Sequence, residues 1–205
     1  MKYTLVFALL FIFYTSFSQS KIDAERENFF RIGARAGANL NKISGKSYSE
    51  GFDFNYQVGG FIQLNIGKKF GIQPEVNFLQ STATFTGEST DIYDDIFRDG
   101  GQKKAKLNYL EIPVFLNYNL GPSKRVKLQL GPAYGGLVKQ TIDSLRSDGD
   151  IFKKNEWSVI GGIWLQLPFV NLSARYKMGL TNINAIDDRQ SWKSQAIQLG
   201  IGITF

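Results

Sequence analysis

Apolar and polar residues alternate along most of this chain with a period of two, and the alternation is broken at intervals by clusters of Gly, Pro, Asn, Ser and charged residues. That period belongs to an extended strand, whose successive side chains point to opposite faces. From Phe30 to Leu40 the residues Phe30, Ile32, Ala34, Ala36, Ala38 and Leu40 share one face, opposite Arg31, Gly33, Arg35, Gly37 and Asn39. The same reading predicts strands from about Phe52 to Ile66, Phe70 to Ala83, Leu107 to Tyr118, Arg125 to Val138, Glu156 to Leu167, Val170 to Met178 and Ser194 to Phe205. Pro74 lies inside the third of these and withholds a ladder donor, which predicts a bulge or local break there. In the last strand Ile197, Leu199, Ile201, Ile203 and Phe205 face opposite to Ala196, Gln198, Gly200, Gly202 and Thr204.

The strand count is even, and the connections alternate in length. The first, third, fifth and seventh run to roughly 11 to 23 residues, the others to about 2 to 6, as in barrels with short periplasmic turns and long outer loops. The expected fold class is therefore all-β, an eight-stranded antiparallel transmembrane up-and-down β-barrel with both termini on the periplasmic side. A soluble calycin-like barrel is the runner-up, with its apolar faces inward around a ligand. Against it, the faces opposite the apolar stripes collect Arg31, Arg35, Glu75, Glu111, Lys127, Arg175 and Lys177.

Residues 1 to 19 stand apart. Lys2 precedes an apolar run from Tyr3 to Tyr14, followed by Thr15, Ser16, Phe17, Ser18 and Gln19. The run is too short for a typical helical span and its flanks have the order of a secretory signal, so 1–18 is expected to be a signal peptide and 19–205 the barrel domain. No Cys is present for lipoprotein processing or for a disulfide framework. Gly, Phe and Tyr are plentiful, which suits close strand approach and interfacial aromatic girdles. The chain also contains no His, and so lacks the usual general base and the usual transition-metal ligand.

At Leu107 to Tyr118 (LNYLEIPVFLNY), Leu128 to Gly136 (LQLGPAYGG) and Ala174 to Ile183 (ARYKMGLTNI) the sequence resembles the PorT-like outer-membrane β-barrel family. The resemblance spans essentially the whole mature chain. It implies a barrel exported by a Sec-type route to the outer membrane of a Gram-negative cell, and some members of that family are tied to a protein-secretion system. Outer-membrane barrels also end on an alternating strand with a terminal Phe that the assembly machinery reads. On that resemblance Ile201, Ile203 and Phe205 are the expected assembly signal.

Three groups of residues carry candidate chemistry. Arg31, Arg35, Glu75, Glu111, Lys127, Arg175 and Lys177 share the lumenal phase, and an eight-stranded lumen is only just wide enough for side chains, so these charges must pair or sit with water. Glu111 is expected to pair with Arg175 or Arg35. A stabilising network is the first reading of this set, and a narrow anion-favouring channel the alternative. The connection Thr84 to Lys106 carries Phe85, Ile92, Tyr93, Ile96 and Phe97 among its charges, a candidate anchor for an outer-membrane protein partner. Its acidic residues Glu88, Asp91, Asp94, Asp95 and Asp99 match no cation-loop spacing, and no metal or cofactor is expected. Gly33 and Gly37 alternate within a strand and form no phosphate loop. The formal net charge of +6 is spread along the chain, which excludes a nucleic-acid interface and fits outer-membrane lipid, whose lipid A phosphates suit basic residues at the outer rim. The expected function is a small, non-enzymatic structural, binding or assembly-accessory barrel acting through its long outer loops; a channel and a secretion accessory are the alternatives.

Overall fold

The computed structural model describes residues 29–44, 51–85, 103–142, 152–185 and 191–205. The expected signal peptide and the loop residues Ile92, Tyr93, Ile96 and Phe97 lie outside them. Eight strands follow in order: β1 (Phe30–Ser44), β2 (Asp53–Ile66), β3 (Phe70–Phe85), β4 (Lys103–Leu120), β5 (Val126–Ile142), β6 (Asn155–Gln166), β7 (Val170–Gly179) and β8 (Lys193–Thr204). Each is antiparallel to its successor, and β8 pairs with β1, so the sheet closes on itself. At the seam Phe205 continues the ladder past the end of β8, exchanging backbone hydrogen bonds with Ile32.

Partners followed once around the wall run Phe30, Leu64, Ile72, Leu116, Leu130, Gly161, Tyr176 and Ile197, and return to β1 at Leu40. The circuit thus closes further along β1 than it began, and this stagger tilts the strands against the barrel axis. Two of the tight turns rest on glycine: Gly67 and Gly121 have φ of 68° and 72°, in the left-handed region that L side chains avoid.

The two faces of the wall are sorted in the sense opposite to a soluble barrel. Phe54, Val58, Val76, Val114, Leu116, Leu130, Ile163, Ile201 and Ile203 are exposed on the outside, while Gln63, Gln73, Glu75, Asn117, Gln129 and Asn171 are buried within. An outer surface of this kind is stable only against hydrocarbon. The calycin-like alternative is overturned on this ground, because its apolar residues would have to be the buried ones.

β7 has 10 residues and β4 has 18, against about 9–11 needed to cross a bilayer. The excess extends the ladder beyond the hydrocarbon on the side of the longer connections and shortens the loops expected from sequence. Thr84 and Phe85 belong to β3 and pair with Lys104 and Lys103 of β4, so the third connection is 86–102 and not Thr84 to Lys106. At Pro74 the expected local break is present and the bulge is not: the β2–β3 ladder has no partners between Phe61–Glu75 and Leu64–Ile72. The β2–β3 register is the same on both sides of it, with Phe61 opposite Glu75 and Leu64 opposite Ile72, because Pro74 faces outward and the neighbouring rungs hold the alignment. The register shift falls instead between Asn108 and Tyr109, where β5 carries Val138 as an extra residue.

Candidate functional site: a charged lumen under an apolar plug

Inward side chains fill the barrel in layers. Nearest the short turns, Lys127 Nζ donates to Asn65 Oδ1 (3.3 Å), and Asn171 donates to Thr204 Oγ1 (2.9 Å). Above them the amides of Gln63 and Asn117 both donate to Gln73 Oε1 (3.1 and 2.9 Å), and Gln129 donates to Asn117 Oδ1 (2.8 Å). These polar groups are sealed from water and bond one another, although Gln63 Oε1 and Asn171 Oδ1 have no hydrogen-bond partner among the described residues.

The middle layer is built on Glu75. Arg175 offers it a forked pair of hydrogen bonds, Nη2 to Oε1 at 2.7 Å and Nη1 to Oε2 at 2.9 Å, and Arg35 Nη1 adds a third to Oε2 at 3.0 Å. Gln73 and Asn77 donate to the same carboxylate (2.8 and 3.0 Å). Arg175 also donates through Nε to Gln129 Oε1 (2.8 Å) and stacks 4.1 Å from the centre of the Phe115 ring. The planar guanidinium suits this place, since its fork matches a carboxylate while its face covers an aromatic ring. Arg35 reaches across β8 because Gly200 has no side chain; a Cβ there would lie 2.5 Å from Arg35 Nη2. Trp164 packs edge-on against Phe61 at 5.0 Å, so aromatic rings occupy what space the polar groups leave.

Closer to the outer end, Lys177 Nζ donates to Glu111 Oε2 (2.7 Å) and Glu156 Oε2 (3.2 Å). Gln198 donates to Glu111 Oε1 (3.2 Å), and Ser194 Oγ donates to Glu156. The expected pairing of Glu111 with Arg175 or Arg35 is corrected: both arginines serve Glu75, and the stagger of the strands sets Lys177 against Glu111. Of the sequence-derived set, Arg35, Glu75, Glu111, Arg175 and Lys177 come together in these two clusters. Lys127 lies deeper, and Arg31 is half-buried at the lower end of β1. Glu156 is the member that sequence reasoning missed, although it shares the inward phase of Ser158, opposite Trp157 and Val159. With it, the fully buried charges among the described residues are Arg35, Lys127, Arg175 and Lys177 against Glu75, Glu111 and Glu156. The lumen is thus close to neutral, and the marked positive excess that would favour anions is removed.

An apolar plug covers this network. Leu79 and Ala83 of β3, Ala105, Leu107 and Tyr109 of β4 and Ile43 of β1 turn inward and meet Phe152, Ile183 and Trp192 from the fifth and seventh connections. The connections are tied down by backbone bonds from Lys153 N to Ile183 O (2.9 Å) and Ile183 N to Trp192 O (3.0 Å). Asn182 Oδ1 accepts from the Trp192 and Asn184 amides. Between plug and charges is a cavity of about 10 Å³ bordered by Tyr109, Glu156 and Lys177, room for about one water. Of the expected assembly signal, Ile201, Ile203 and Phe205 all face outward and are exposed.

A family model described as outer membrane protein beta-barrel domain matches residues 17–185. The chain belongs to this family. Two solved structures share the fold: Neisserial surface protein A, at 15% identity and TM-score 0.52, covering 87% of this chain and 98% of that one; and the attachment invasion locus protein Ail of Yersinia pestis, crystallised with the heparin analogue sucrose octasulfate, at 14% identity and TM-score 0.50, covering 87% and 100%. No curated protein sequence matches the chain. The protein is a small outer-membrane β-barrel, and the apolar wall, the polar lumen and the uneven connections are the features of that class.

Proposed function

We propose that this outer-membrane barrel is a non-conducting, non-enzymatic scaffold that works through its outer edge. The observation that carries the reading is the double closure of its interior, with two satisfied ion clusters beneath an apolar plug. Ions crossing it would have to displace Glu75 from two arginines and pass Phe152, Ile183 and Trp192. The non-enzymatic part rests on chemistry: with neither His nor Cys in the chain, the usual base for a lipid-cleaving serine and the usual thiol nucleophile are missing.

The contacts of the scaffold come from its connections, because the lipid face is generic and the lumen is full. Residues 86–102 with Phe85 remain the partner-binding segment of choice, and Phe85, Ile92, Tyr93, Ile96 and Phe97 its apolar anchors. Resemblance to the PorT-like barrels supports an accessory role beside a larger outer-membrane assembly such as a secretion system. Ile201, Ile203 and Phe205 are assigned to recognition by the barrel-assembly machinery. Planar-bilayer recording tests the closure: the folded protein is expected to give no stepwise current, and a reproducible unit conductance would replace the scaffold with a channel. Shortening 86–102 is expected to keep a heat-resistant band in detergent while removing proteins that co-purify from the native membrane.

A further inference from the structure

Beyond the apolar belt, β4 and β5 keep their ladder and their outward residues change character. On β4 the outward sequence runs from Val114, Ile112 and Leu110 to Lys106, which is exposed. On β5 the bulge decides which way the basic residue points. Leu137 faces inward against the plug, and an unbroken alternation would send Lys139 inward after it. The extra residue Val138 reverses this phase, so that Lys139 pairs with Asn108, points outward and is exposed.

Lys106 pairs with Thr141, two positions beyond Lys139, which makes the two lysines diagonal neighbours about 7–8 Å apart at their bases. Exposed Lys154 stands beside them, its carbonyl accepting from Leu137 N at 2.7 Å. Below this group Tyr134 and Trp157 meet edge to face at 5.4 Å on the outer surface. Such rings sit where hydrocarbon gives way to headgroups. Lys106 and Lys139 are therefore held sideways on a rigid ladder, just above the plane of the outer headgroups, with Lys154 beside them at the bend that leads into β6.

We propose that Lys106, Lys139 and Lys154 form a binding site for the phosphates of a lipid A-type glycolipid in the outer leaflet, whose chains lie along the belt below. The orientation favours a lipid over a soluble polyanion, because Lys106 and Lys139 face along the membrane and the belt beneath them is already solvated by acyl chains. The site depends on the outer-membrane placement and not on the scaffold reading, so a conducting barrel would leave it standing.

The experiment uses the purified full chain, with bisphosphorylated lipid A and its phosphate-free form as probes and native mass spectrometry to measure retained lipid. Lys106→Gln, Lys139→Gln and Lys154→Gln are expected to weaken retention of the bisphosphorylated form by about fivefold each and about a hundredfold together. The triple Lys→Arg variant and Lys68→Gln/Lys69→Gln, at the opposite end of the barrel, are expected to retain it. Every variant is first shown to run as a heat-modifiable folded band, which these exposed positions permit. Undiminished retention by the triple Gln variant, or equal retention of the phosphate-free lipid, would overturn the site. Tighter lysine-dependent binding of sucrose octasulfate than of lipid A would assign the lysines to a soluble polyanion and overturn the lipid.

Discussion

Glu75 serves two buried guanidinium groups, Arg35 and Arg175, whereas Lys177 divides its charge between Glu111 and Glu156. The two clusters therefore respond differently to losing a carboxylate. Glu75→Gln leaves two arginines facing each other without a counter-charge and is expected to cost about 3–5 kcal/mol. Glu111→Gln leaves Lys177 with Glu156 and costs less. Urea unfolding in lipid vesicles, followed by Trp fluorescence, gives the order, and a larger loss for Glu111→Gln would contradict it. A double-mutant cycle separates the partners further: Glu111 with Lys177 is expected to show a coupling of about 0.5–3 kcal/mol, and Glu111 with Arg175 a much smaller one.

At the scale of the strand, Val138 is the residue that β5 carries in excess of β4. Deleting it joins Leu137 directly to Lys139 and removes the bulge: Leu137 still meets Tyr109, and Lys139 still meets Asn108 and faces outward, so no charge enters the plug. The deletion is therefore expected to keep the heat-modifiable folded band and the exposure of Lys139 to a water-soluble amine reagent, as is Val138→Ala, which keeps the residue count. Loss of the folded band on deletion alone would mean that the bulge is needed for more than the phase of Lys139. The closing strand depends on its last rung. Removing Phe205 takes away both backbone bonds to Ile32, and the truncated protein is expected to accumulate in the periplasm or be degraded. Normal membrane insertion of the truncation would separate seam pairing from assembly.

For the molecule as a whole, the two closures of the lumen are independent. Phe152→Ala with Trp192→Ala thins the plug but leaves Glu75, Arg35 and Arg175 across the middle of the barrel. Planar-bilayer recording of that variant is expected to stay silent. Current from it, with the parent protein silent, would place the whole barrier in the plug and remove the ion cluster from it.

The period of two, the even number of strands and the alternation of short with long connections were all present in the sequence, because each depends only on neighbouring residues. They carry the barrel, its strand boundaries to within a few residues and the lumenal phase of Glu75, Glu111, Arg175 and Lys177. Tertiary structure decided the rest. Which carboxylate meets which cation follows from the stagger of the closed sheet, a property of all eight registers together, and it gave Glu111 to Lys177. Phe152, Ile183 and Trp192 lie in connections with no periodic signal, and only folding over the mouth makes them a plug. Lys139 falls beyond the strand expected from Arg125 to Val138, and only the folded ladder, with its single extra residue, places it on a strand and turns it to the membrane side.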